Sequence, residues 1–254
     1  MTKAGEKGYE REFYISEIFS ISWEVYRQNY RSLFPLAFIV YLPLNIFLAF
    51  FPITSLSEFD PADYQSWFRI FGAMNIAVYL SFIGNIAVAI ALKRKLYTNN
   101  FSLGAVIGEI FKRYFNYFTT NTLMLVLVFV CFNIWMYFSI TFPTIFLLLL
   151  IPIILYLVYW SFAIYIFSFK DINLYQSMRQ SYAIVNGRWA KVFYYVASFI
   201  LFSVITTLIL GFPYSFLHDS IFVKILYTNL VSVITSFFVV AFIIFYVNFD
   251  DTKI

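Results

Sequence analysis

The residues able to do chemistry are few. The one histidine, His218, stands beside Asp219 in the order of a base and the carboxylate that would orient it. Hydrolysis also needs a nucleophile and a supporting shell, and neighbours in sequence seldom meet that geometry, so the pair is read as a solvated loop. A lone imidazole rules out any site needing two, and the lone cysteine, Cys131, rules out an intramolecular disulfide or a multi-cysteine metal centre. The 8 glycines are scattered and build no phosphate-cradling loop. The expectation is a protein that is not an enzyme, with no catalytic residue, cofactor or metal.

A second group of polar residues interrupts long apolar runs: Asn45, Asn75, Asn85, Asn121 and Asn133. Hydrogen bonds between packed helices are the simplest use for such amides. Pro35, Pro43 and Pro52 punctuate the first apolar run and Pro152 a later one, and prolines can kink a helix and free its carbonyls. In "YLPLNIF", Pro43 precedes Asn45 by two residues, which marks a candidate kinked polar notch.

The elements that must position these residues follow from composition. The chain has 254 residues, is 62% hydrophobic and only 12% charged, against roughly 45–50% and 25% in soluble domains. With a mean hydropathy of +0.81, the excess apolar surface must face lipid. Aromatic residues make up 24%, many near the ends of apolar runs where interfacial belts form. The start, "MTKAGEKGYEREF", does not read as a signal peptide, so insertion through internal helices is expected.

A membrane-crossing helix needs roughly 20 mostly apolar residues. Six stretches qualify, at about 32–53, 70–92, 119–141, 143–169, 190–212 and 226–248. Six crossings place 15 of the 17 basic residues on the side of both termini and leave Arg69 and Lys224 on the other. By the positive-inside rule that side is the cytoplasm. The expected architecture is therefore an all-α, multi-pass protein of the cell membrane. It forms one domain over 1–254, with tails at 1–11 and 249–254.

Three segments on the basic side resemble one another. "EIFSISWEVYRQNYRSLF" carries a polar stripe of Glu17, Ser20, Glu24, Arg27 and Arg31. "SLGAVIGEIFKRYFNYF" sets Leu103, Val106, Ile110 and Phe111 against Glu109, Lys112 and Arg113, and "NLYQSMRQSYAIVNGRWAKVF" sets Leu174, Met178 and Val185 against Gln176, Arg179 and Asn186. Tyr30, Tyr114 and Trp189 correspond, as do Phe34, Phe118 and Phe193, giving three loose repeats that start near 15, 99 and 174. Each reads as an amphipathic elbow helix in the headgroup plane, then a bend, then a transmembrane hairpin. Asn186 and Gly187 suit a helix end. Arg188 and Lys191 can snorkel to phosphates, with Trp189 as anchor. The candidate contacts for lipid or a partner are Arg27, Arg31, Lys112, Arg113, Arg179, Arg188, Trp189 and Lys191.

With its elbow at "MRQSYAIVNGRWAKVF" and its ending "FIIFYVNFDDTKI", the chain resembles the membrane domain of bacterial glycerophosphoryl diester phosphodiesterases and their uncharacterised stand-alone six-helix relatives. The resemblance runs over about residues 15–252. It rests on Ser181 before the basic-aromatic elbow and on Tyr246, Asn248 and Asp250 at the close. It implies a six-helix membrane fold. The hydrolytic domain of those enzymes is a separate soluble barrel, so the resemblance carries over no catalytic residue.

The span interiors hold no Asp, Glu, Lys, Arg or His, which counts against an ion-coupled transporter. The expected function is a non-enzymatic scaffold or accessory subunit. Its basic elbows would bind anionic membrane lipids or a membrane or cytoplasmic protein partner, and its net charge of +4 needs no nucleic acid to explain it. The alternative is a permease or exporter subunit for a small or lipophilic solute, working with a separate ATPase, since transporters are often built from repeats.

Overall fold

A computed structural model describes residues 13–51, 64–97, 102–116, 130–131, 134, 151–152, 154–213 and 220–250. Among them the chain is helical and contains no strand. The helices are α1 (Ile15–Phe50), α2 (Tyr64–Tyr97), α3 (Leu103–Asn116), α4 (Ala163–Phe169), α5 (Leu174–Val185), α6 (Trp189–Gly211) and α7 (Ile221–Phe249). Four are long and apolar enough to cross a membrane: α1, α2 from Gly72 onward, α6 and α7. They correspond to the first, second, fifth and sixth expected spans. Most of the third, and most of the fourth before residue 154, lie outside the described residues.

Long α1 and α7 form the spine, with α2 against both. They run antiparallel: Phe13 N–H donates to Asn248 Oδ1 at 2.9 Å, Phe19 packs on Phe237, and Asn45 meets Asn229. From Ile86 to Leu92 every residue of α2 is buried, the mark of a helix enclosed on all sides. Alanines at 87, 89 and 91 keep that stretch thin enough for its neighbours to close in. At Gly84 a Cβ would overlap the ring of Tyr41, so glycine is what lets α1 and α2 meet there.

Aromatic rings weld α4, α6 and α7. Tyr195 and Phe245 stack at 4.9 Å with planes 3° apart, and Tyr165 stacks on Phe242 at 5.7 Å. Phe162 packs on Phe245 at 5.0 Å. Each such pair contributes about 0.5–1.5 kcal/mol beyond its buried area.

The three amphipathic segments do not share one geometry. The first is no separate helix: α1 continues unbroken from Ile15 through Pro35 and Pro43 to Phe50, about 54 Å at 1.5 Å per residue. The expected break before residue 32 is therefore corrected. The segment has no glycine there, Asn29 turns its amide back onto Val25 O at 2.8 Å within the helix, and a proline's neighbours can re-satisfy its backbone. The second segment is α3, separate from α2, and its continuation beyond Asn116 lies outside the described residues. The third does turn: α5 ends at Val185, Gly187 takes φ 82°, and α6 begins at Trp189. A positive φ disfavours any side chain with a Cβ, which is why glycine stands there.

Candidate functional site

The end of the bundle where α1 and α6 begin and α2, α4 and α7 finish collects Lys93, Arg94, Arg113, Lys170, Arg188 and Lys191. Helix α4 is only seven residues long, so its terminal carbonyls have no partners further along the helix. Cations from two other helices supply them. Arg113 on α3 donates through Nη1 to Phe167 O at 2.8 Å and to Lys170 O at 2.7 Å, and Lys93 Nζ on α2 donates to Phe169 O at 2.6 Å. Positive charge also suits the negative end of the helix dipole.

Glu109 ties this cap together. It accepts from Arg113 Nε at 3.0 Å and Nη2 at 2.8 Å, one helical turn away, and from Arg94 Nε at 2.7 Å. Burial alone would push the Glu109 carboxyl up, but the hydrogen bonds from Arg94 and Arg113, with their charges, outweigh it and hold the group below its ordinary value. The cluster borders a cleft of about 370 Å³ lined by Arg94, Gly108, Lys112 and Asp171 among others.

A second ion pair closes the end from the α7 side. Lys170 Nζ lies 3.1 Å from Asp250 Oδ2, whose side chain is 3% exposed, and Tyr246 OH donates to the same oxygen at 2.7 Å. Asn248 Oδ1 holds the start of α1, and Tyr195 OH donates to Phe13 O at 2.7 Å. Tyr246, Asn248 and Asp250 thus act as one clasp.

The expected contact residues fall into two groups. Arg27, Arg31, Lys112 and Arg179 are exposed, as is Lys191. Arg113 is not. It is 7% exposed and commits four of its five donor protons to Glu109, Phe167 and Lys170. Expected as a contact for lipid or a partner, it serves in this structure as a cap for α4. Arg188 and Lys191 lie over the ring of Phe249, at 5.9 and 5.5 Å from its centroid. Trp189 is half-buried and stacks on Phe193 at 5.2 Å.

The candidate notch at Pro43 and Asn45 is filled. Asn45 Nδ2 donates to Asn229 Oδ1 at 3.0 Å, to Ser232 Oγ at 3.1 Å and to Tyr41 O at 3.0 Å. Asn229 Nδ2 in turn donates to Phe38 O at 3.0 Å. Asn45, 4% exposed, is therefore a clamp between α1 and α7. Asn85 accepts from Tyr41 OH at 2.7 Å. Asn121, Asn133, Pro52, His218 and Asp219 lie outside the described residues.

Sequence reasoning gave no site role to Lys93, Glu109, Lys170 or Asn229. Ser181 it singled out only as a motif. The structure shows Ser181 Oγ bridging a turn at residues 160–162: it accepts from Phe162 N–H at 3.2 Å and donates to Tyr159 O at 2.7 Å. A small hydroxyl residue on the buried stripe of an otherwise polar helix was the available signal.

Among the described residues no cluster of His, Cys, Asp and Glu could hold a metal ion. What the basic end can do is hold negative charge at its rim, because its inner cations are already engaged in binding α4. No protein-family model, curated protein or solved structure matches this chain.

Proposed function

We propose that this chain is a non-enzymatic integral membrane module, multi-pass with both termini cytoplasmic. Its basic end gathers anionic lipid and serves as the docking face of a scaffold or accessory subunit. The observation that carries the reading is the split among the basic residues: Arg113 and Lys93 are turned inward onto carbonyls, while Arg27 and Arg31 on α1, Lys112 on α3 and Arg179 on α5 are exposed. Cations that merely held the fold would not need that rim. A Lys or Arg near an anionic leaflet contributes about 1 kcal/mol, falling off within a Debye length, so four together give a strong preference.

Six crossings and amphipathic helices lying in the headgroup plane belong to the same proposal, as does kinship with the membrane domain of the phosphodiesterases. They are supported by the charge asymmetry and by the turn at Gly187.

The test is extraction into nanodiscs directly from native membrane, with mass spectrometry of co-purifying lipids and proteins. Wild type should carry lipid enriched in anionic headgroups relative to the bulk membrane. A variant with Arg27, Arg31, Lys112 and Arg179 all changed to Gln should match the bulk. Equal lipid composition around both proteins would reject the reading.

A further inference from the structure

Between α1, α6 and α7 lies an apolar groove of about 400 Å³. Its walls include Trp23, Tyr30, Phe34, Leu230, Ile234 and Phe237. Two hydroxyls of the lining are already spent on backbone: Thr206 Oγ1 donates to Phe202 O at 2.8 Å, and Tyr26 OH to Val233 O at 3.0 Å. Such a surface offers little to a hydrophilic solute.

The charged side chains of α1 beside the groove, Arg27 and Arg31 with Glu24 beyond them, stand on one flank, and Glu24 accepts from Gln28 Nε2 at 3.0 Å. The α1 positions that line the groove, 23, 26, 30 and 34, recur at steps of three and four and form one stripe. At about 100° per residue, Arg27 lies about 40° around the helix from Trp23, and Arg31 about 40° further. Both arginines are exposed, and Trp23 and Tyr30 beside them are 58% and 47% exposed. Amphipathic rings and cations side by side are what a headgroup region selects.

We propose that this groove holds one acyl chain of an anionic phospholipid, whose phosphate is met by Arg27 and Arg31. The inference rests on the reading of the basic end given above and adds to it a defined lipid site. An amphiphile with an apolar tail and a negative head satisfies both the lining and its flank.

The experiment incubates the detergent-purified full chain with vesicles of equal parts phosphatidylglycerol and phosphatidylcholine, re-isolates it, and counts retained lipid by native mass spectrometry. Wild type should retain one phosphatidylglycerol. Ile234→Trp and Leu230→Trp fill the groove from positions 40% and 41% exposed, so each should fold. Each should cut retention at least tenfold with an unchanged melting temperature. Arg27→Gln with Arg31→Gln should retain a lipid but lose the preference for phosphatidylglycerol. If wild type prefers phosphatidylglycerol and both tryptophan variants retain it equally, the groove is not the site and only this inference falls. If wild type shows no headgroup preference, the broader reading falls with it. Retention of a second copy of the chain or of another protein on the groove would also overturn the proposal.

Discussion

Two polar clusters hold this bundle together, and they use different chemistry. At the basic end, Arg113, Glu109, Arg94 and Lys93 form a charged network on the open carbonyls of α4. Away from that end, Asn45, Asn229, Ser232, Tyr41 and Asn85 do a similar job with neutral groups alone. The difference follows from the solvent. Charges in hydrocarbon cost several kcal/mol unless they reach water or a partner, whereas amides bridge helices there at modest gain. The protein therefore places ionised pins where a membrane would end and neutral clamps where it would continue.

The largest expected effect separates the two clusters. Arg113→Ala removes one partner of a mostly buried pair, leaves Glu109 with Arg94 alone, and strips the donor from Phe167 O and Lys170 O. Such losses cost about 3–5 kcal/mol, and a thermal or denaturant melt in detergent micelles should register the drop. The neutral clamp should yield less: Asn45→Ala is expected to cost about 0.6–1.7 kcal/mol, the range for interhelical hydrogen bonds in membranes. If the two variants melt alike, the contrast between the clusters fails.

Ser181→Ala sits between them. It strips the donor from Tyr159 O and leaves Phe162 N–H buried without its acceptor, a cost of about 1–3 kcal/mol. Loosening should be local to the 160–162 turn, and hydrogen exchange at those amides reads it directly. Gly187→Ala forces a side chain into positive φ, at about 1–2 kcal/mol.

Acid should tell the clusters apart as well. The folded-state value of Glu109 is depressed, so its contribution is present above the unfolded carboxylate value, about 4.3. That contribution is lost as the pH falls through the lower folded value. A melt series below pH 5 should show wild type losing stability that Glu109→Gln, already lacking the charge, does not lose further. The neutral clamp has no titrating group in this range. Smallest of all, Arg179→Gln on the exposed face of α5 should change stability by less than about 0.5 kcal/mol.

Much of the frame was legible in the sequence. The apolar runs at 32–53, 70–92, 190–212 and 226–248 each fall on a helix able to cross a membrane. The stop at Asn186-Gly187 was legible because glycine there has a backbone reason. The first amphipathic segment misled, since a polar stripe reports which face is wet but not whether the helix ends; α1 simply continues.

The capping role of Arg113 was not legible for a different reason. On α3 alone it shares a polar face with Glu109 and Lys112, and nothing in that helix reveals that the open end of α4 lies against it. The closing Tyr246-Asn248-Asp250 pattern was visible as a motif, but its partners Lys170 and Phe13 are distant in sequence and only the fold brings them close.

The most direct test of the account compares two variants in the same nanodiscs, reading melting temperature and bound anionic lipid together. Arg113→Gln should lower the melting temperature and leave the lipid preference of the folded fraction intact. The Arg27, Arg31, Lys112 and Arg179 to Gln variant should do the reverse, melting like wild type while losing the preference. If both lose stability equally, or if the rim variant keeps its anionic lipid, the division between inward pins and an outward binding rim is wrong.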